Sequence, residues 1–287
     1  MVSRKKPVLI YSEDWSRCGG GEKYLLCIIE TLLHSKYDVT IITQAASFDQ
    51  DAVARYFGVN IDGVRVHYVD GDNAELRRKA EEISRDFDIC MYMANYRFFN
   101  SHARQTYAIL QVPYSRITVF TVLTRSLSGE LKEAAKDLHR LLLLRKLRET
   151  QAVIVYSKFV HDSLELIHGI PSTVLDPAID DFLIEGTPKE RVILSVGRFF
   201  KGLYNDKRYD VLIAAFKQFY SRLPNTTWQY KLVGSCGADA ASQAYLDELR
   251  ASAQGLPIYF HINTPYDDLK RHYNEATNLL ACRWIRR

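Results

Sequence analysis

Apolar runs of strand length alternate with amphipathic helical spans along nearly the whole 287-residue chain, and the alternation occurs in two sets. The first set holds PVLIY (7–11), DVTIIT (38–43), VRVHYV (64–69), DICMYM (88–93), TYAILQV (106–112), AVIVY (152–156) and STVLDP (172–177). Helical patterns at 22–33, 49–56, 74–86, 129–148 and 158–168 lie between them. Successive strands joined through helices pair in parallel, because a parallel pair needs a long crossover and a helix supplies it. The polar stretch IEGTPKE (184–190) breaks the pattern, which then restarts with VILSV (192–196), WQYKLVG (228–234), PIYFHI (257–262) and NLLAC (278–282). Helices are expected between these at 209–222, 242–253 and 265–276, the last with Thr264 as cap and Pro265 as first helical residue. The expected fold is therefore α/β, with two Rossmann-like parallel-sheet domains at 1–183 and 191–287 joined by a linker at 184–190. The second domain is short and reads as incomplete.

Composition narrows the class. With 47% hydrophobic and 25% charged residues the chain can fill two cores, and a net charge of +4 is too mild to indicate nucleic acid. Anionic ligands and a peripheral membrane contact stay open. Cys18, Cys27, Cys90, Cys236 and Cys282 are odd in number and lack CxxC spacing, which fits reduced thiols in the cytoplasm. The start MVSRKKPVLIY is too short in its apolar part for a signal peptide, and no stretch is long enough to span a bilayer.

The chemistry concentrates where strands hand over to helices. In GRFFKGLYNDKRYDVLIAAF, Arg198 and Lys207 stand nine residues apart between the strand 192–196 and the helix 209–222. Open α/β sheets bind ligands in the crevice at that end of the strands. Two cations there suit a diphosphate and can stabilise a departing nucleoside diphosphate without a metal. A solvated basic loop is the plainer alternative.

Cys18-Gly19-Gly20-Gly21-Glu22-Lys23 follows the first strand and opens a helix, so it reads as a phosphate or sugar loop or as a tight packing turn. Tyr24 stands where a dinucleotide fingerprint needs its third glycine, and the Walker pattern also fails. Asp70-Gly71-Asp72 has the form of a metal-holding acid pair, but a strand ending in Asp-Gly-Asp-Asn reads first as an ordinary turn. The aromatic stretch 94–116, with His102, Gln111 and Tyr114, could line an acceptor pocket, although a lone histidine is more often a surface residue. Helix 129–148 has an apolar stripe set among Lys132, Lys136, Arg140, Arg145, Lys146 and Arg148, which suits packing on its own sheet or an anionic membrane.

Taken together, the motifs resemble those of the retaining glycosyltransferases of family four, whose architecture is GT-B. Gly20-Gly21-Glu22 or the pair before it resembles the family's GG-x-E loop, Tyr156-Ser157-Lys158-Phe159 its NS-x-F segment, and Val174 to Asp180 its VLYPP-VD segment. The most specific match is Val196-Gly197-Arg198 followed by Lys207-Arg208-Tyr209-Asp210-Val211-Leu212-Ile213-Ala214-Ala215-Phe216, which selects Lys207 over Lys201. The resemblance implies that Arg198 and Lys207 act on the diphosphate of a UDP- or GDP-sugar, and that Gly19, Gly20, Gly21, Gly234 and Ser235 lie against the donor. It implies no cofactor and no metal. The family's E-x7-E pair has no counterpart before Arg287, and glutamine stands at Gln111 where some relatives have histidine.

The expected function is a cytoplasmic glycosyltransferase of polysaccharide biosynthesis, moving a hexose to a saccharide or lipid-linked acceptor, with His102 and Gln111 as acceptor candidates. The alternative is a truncated, non-catalytic nucleotide-sugar-binding protein or a gene fragment.

Overall fold

The computed structural model describes residues 5–13, 15, 19–44, 48–95, 97, 99–113, 116–201, 207–223 and 225–281. Cys18, Tyr96, Phe98, Tyr114 and Cys282 lie outside them. In chain order the first elements are β1 (Pro7–Tyr11), α1 (Gly20–His34), β2 (Asp38–Gln44), α2 (Gln50–Phe57), β3 (Arg65–Val69), α3 (Asn73–Ile83), β4 (Ile89–Met93) and β5 (Gln105–Leu110). They continue with α4 (Val119–Leu127), α5 (Leu131–Arg148), β6 (Ala152–Val155), α6 (Lys158–His168) and β7 (Thr173–Val174). After these come β8 (Glu190–Val196), α7 (Tyr209–Arg222), β9 (Gln229–Gly234), α8 (Ala240–Ser252), β10 (Ile258–Ile262), α9 (Tyr266–Glu275) and β11 (Ala276–Leu279).

All the strand pairs among the described residues are parallel, in a seven-stranded sheet ordered β3-β2-β1-β4-β5-β6-β7 and a four-stranded sheet ordered β10-β9-β8-β11. The alternation read from the sequence is thus realised as two Rossmann-like α/β layers. Strand order reverses direction between β1 and β4 in the first sheet and between β8 and β11 in the second. Such reversals open crevices at the carboxyl ends of the strands.

The chain divides into two compact units, the first drawn from 1–15, 23–49 and 60–178 and the second from 16–22, 50–59 and 179–287. In the first, Leu9, Cys90, Ala108 and Val153 of the strands pack with Leu76 and Ala80 of α3, Leu144 and Leu147 of α5, and Val160 and Leu164 of α6. In the second, Tyr230 and Leu232 of β9 meet Leu212, Ile213 and Phe216 of α7 and Leu246 and Leu249 of α8. On the opposite face Leu269 and Tyr273 of α9 lie on Val192, Leu194 and Val233. Strands buried on both faces explain why they read as continuous apolar runs.

Two local expectations change, and the Asp70 stretch keeps its ordinary reading as a turn. The helix expected at 129–148 begins at Leu131 and is preceded by a separate helix, α4, capped by the Thr118 hydroxyl, which accepts from the Thr121 amide. At α9 the cap position is Pro265 rather than Thr264, and helical geometry starts at Tyr266. Asp70-Gly71-Asp72 is a turn and a helix cap: Gly71 has φ of 115°, and the Asp72 carboxylate accepts from the amides of Ala74 and Glu75, each at 2.9 Å, at the start of α3.

Candidate functional site

Three loops leave the carboxyl edge of the second sheet, and backbone hydrogen bonds join them. The Phe199 amide donates to the Ser235 carbonyl at 2.8 Å, and the Asn263 amide donates to the Gly234 carbonyl at 2.8 Å. The Cys236 amide donates to the Asn263 side-chain oxygen at 3.1 Å. Phe199 is 1% exposed and stacks on Tyr209 with ring centroids 4.7 Å apart, which anchors the loop carrying Arg198 to the start of α7.

Arg198 and Lys207 both stand at this edge, one just after β8 and the other just before α7. A Cβ placed at Gly197 would lie 2.9 Å from Lys207 Cγ and 3.0 Å from its Cε, so the lysine side chain runs along the backbone next to Arg198. The Arg198 guanidinium stands 5.0 Å from the Phe200 ring centroid. Gly19 falls in the same unit, and a Cβ there would be 3.8 Å from the Arg198 guanidinium carbon. Gly20 has open space around its Cα, and the Gly19 amide donates to the Glu22 carboxylate at 2.9 Å. That bond is one half of a helix capping box at the start of α1. Gly20 and Gly21 are the first two residues of α1, where backbone amides point out of the helix end.

The neighbouring cations are already neutralised. Lys201 pairs with Glu248 at 3.0 Å, and Arg208 pairs with Asp210 at 3.0 Å and holds the Asp210 carboxyl below its ordinary range by hydrogen bonding. Among the described residues no carboxylate pairs with Arg198 or Lys207. Two positive side chains thus stand at a strand end beside the β8–β11 reversal, the end at which open α/β sheets bind ligands. Gly234 is required by packing as well: the Gly197 carbonyl occupies the space a side chain would need. Ser235 contributes its carbonyl to the loop network.

The first sheet carries a second polar cluster on its own carboxyl edge. Asn95 donates to Gln111 Oε1 at 2.7 Å and accepts from the Gln111 amide at 2.9 Å. The Gln111 side-chain nitrogen donates to the Tyr156 hydroxyl. The Tyr156 ring lies 4.0 Å from that of Tyr24, whose hydroxyl donates to the Leu175 carbonyl at 2.9 Å. Burial, and then the Asp176 carboxylate, push the Tyr24 hydroxyl up to about 12. Glu13, 8% exposed in its side chain, pairs with Arg97 and accepts from the Tyr11 hydroxyl at 3.0 Å.

His102 does not join Gln111. It lies before the amino end of β5, where its amide donates to Ser84, whereas Gln111 follows the carboxyl end. The six residues of β5 put about 20 Å between the two. Arg97 belongs to the stretch 94–116 expected to line an acceptor pocket, whereas the partnerships of Asn95 with Gln111 and of Arg97 with Glu13 arise only when the strands lie side by side. The Tyr156-Ser157-Lys158-Phe159 segment supplies a helix cap, since Ser157 accepts from the Val160 amide at the start of α6.

No protein-family profile matches the chain, and no curated protein does. Solved structures do. The catalytic domain of starch synthase IV from Arabidopsis thaliana, bound to ADP and acarbose, is similar with a TM-score of 0.56 at 12% identity, over 96% of this chain and 78% of that one. An alpha-glucosyltransferase in complex with UDP is similar with a TM-score of 0.51 at 10% identity, over 96% and 73%. A proposed UDP-N-acetylglucosamine 2-epimerase from Listeria monocytogenes is similar with a TM-score of 0.54 at 11% identity, over 96% and 74%. The likeness at these identities is one of fold, and the fold is of the GT-B type.

Proposed function

We propose that this chain is a glycosyltransferase that moves a sugar from a nucleotide diphosphate sugar to a saccharide or lipid-linked acceptor. The observation that carries the reading is the placement of Arg198 and Lys207 at the carboxyl end of β8, with Lys207 lying along Gly197, the residue before Arg198, and neither cation paired with a carboxylate among the described residues. As the bond from sugar to phosphate breaks, negative charge grows on the leaving diphosphate. A guanidinium and an ammonium fixed at that point lower the barrier by favouring the charged state. Gly19, Gly20 and Gly21 offer backbone without side chains to the donor, and Gly234 and Ser235 form the adjoining ledge. Gln111, oriented by Asn95 and Tyr156, is the acceptor-side candidate. The binding of UDP and of ADP by two proteins of the same fold supports a nucleotide diphosphate as the ligand class.

Isothermal titration with UDP and GDP, run beside an assay for donor turnover, tests the reading. Binding with transfer supports it. Binding without turnover of any donor favours a non-catalytic nucleotide-sugar-binding protein, and absence of binding to both nucleotides removes it. An assay for free epimerised sugar separates transfer from the chemistry named for the Listeria relative.

A further inference from the structure

Helix α4 is turned inside out. Its sequence VFTVLTRSL is strongly amphipathic, yet none of its residues is buried. Val119, Phe120, Leu123 and Leu127 fall on one stripe and are 67%, 74%, 56% and 88% exposed. Leu131 at the start of α5 is likewise 67% exposed. The polar residue Arg125 faces inward instead, where its guanidinium meets the Asp137 carboxylate of α5, whose side chain is only 2% exposed. Arg140 closes on the same carboxylate at 3.2 Å. A buried carboxylate held by two guanidiniums fixes which side of α4 faces the protein, so the apolar side is left outward by construction.

The charge around this stripe is one-sided. Between residues 116 and 149 the sequence has eight Lys and Arg against four Asp and Glu, an excess equal to the +4 of the entire chain. Arg116, just before α4, and Lys132, just after Leu131, are both exposed and flank these apolar residues in sequence. No described helix is long and apolar enough to cross a membrane. A nine-residue helix with apolar residues outward and cations at its ends has instead the form of an element lying in the plane of a bilayer interface. A second copy of the chain is a poor occupant, because a two-fold contact would set the same cations against each other.

We propose that α4 and the start of α5 dock the chain on a bilayer surface bearing anionic headgroups. Phe120, Leu123 and Leu127 enter the acyl boundary, while Arg116 and Lys132 sit at headgroup level. The proposal stands apart from the reading of Arg198 and Lys207 and does not depend on it.

Sedimentation of the full chain with vesicles tests it, using phosphatidylcholine alone and phosphatidylcholine mixed with phosphatidylglycerol. The parent chain is expected to bind the anionic vesicles more tightly. Phe120→Ser with Leu127→Ser is expected to lower partitioning by about tenfold or more, since two large apolar side chains no longer leave water. Arg116→Glu with Lys132→Glu is expected to lower binding to the anionic vesicles by about fivefold for each residue changed, and to leave phosphatidylcholine binding as it was. The charge variant tests the docking independently should the first variant fold poorly. Absence of parent binding, full binding by either double variant, or a dimer in light scattering that Phe120→Ser with Leu127→Ser dissolves, overturns the proposal.

Discussion

Gly234 and Gly197 share one space: a Cβ at Gly234 would lie 1.7 Å from the Gly197 carbonyl oxygen. Gly234→Ala must therefore push apart the ends of β8 and β9, whose pairing runs up to Val196 and Val233. The expected cost is about 3 kcal/mol or more of unfolding free energy. Urea denaturation of the variant measures it, and a midpoint equal to that of the parent would show that the strand ends separate freely.

Lys207 and Arg198 carry the proposed diphosphate contact, so their loss should act on ligand and not on fold. Lys207→Ala is expected to keep the parent's unfolding free energy within about 0.5 kcal/mol. It should weaken UDP or GDP binding by about tenfold to a hundredfold, the usual range for a charge-assisted hydrogen bond. Lys201→Ala, which breaks a pair with Glu248, should leave nucleotide binding as it is. Titration calorimetry on both variants separates the two lysines.

His261 of β10 and His272 of α9 lie with ring centroids 4.4 Å apart. Burial holds both below the ordinary imidazole range; at His272 the neighbouring His261 adds to this, and Lys231 opposes protonation of both. Lys231 itself is tied to Glu275 at 2.9 Å and reaches Glu190 at 3.7 Å, while Glu275 and Asp268 pull weakly the other way. Because the folded state resists protonation, the stability these histidines confer is present above the unfolded value near 6.5 and is lost as pH falls through their lowered values. Urea midpoints should fall between pH 7.5 and pH 5, and His261→Leu should flatten that fall.

Asp137 is a buried carboxylate that orders the α4–α5 pair through Arg125 and Arg140. Asp137→Ala leaves two guanidiniums without their partner, at an expected cost of about 2 kcal/mol, less than for a fully buried pair because both arginines keep contact with water. Limited proteolysis should then cut within 119–130 sooner than in the parent. Equal cutting rates would show that apolar contacts alone hold α4.

The central strands were legible because both of their faces are covered, which writes them as unbroken apolar runs such as VILSV and DVTIIT. Helix α4 was not, because its β-branched residues read poorly as helix and its apolar side faces outward, against the usual rule. Arg198 and Lys207 could be singled out because a strand end followed by a helix marks a place without any need for coordinates. Selecting them over Lys201 and Arg208 on physical grounds needed the partners Glu248 and Asp210, one of which lies 47 residues away. The Asn95, Gln111 and Tyr156 cluster is assembled from three strand ends, and no local spacing announces it.

The hydrogen bonds among Phe199, Ser235, Gly234, Asn263 and Cys236 make one stiff ledge out of segments that follow three different strands. The entropy lost in ordering those segments belongs to folding, so an incoming molecule meets a surface already set. Selectivity at such a ledge is expected to change through the side chains it displays, while its outline stays the same from one ligand to the next.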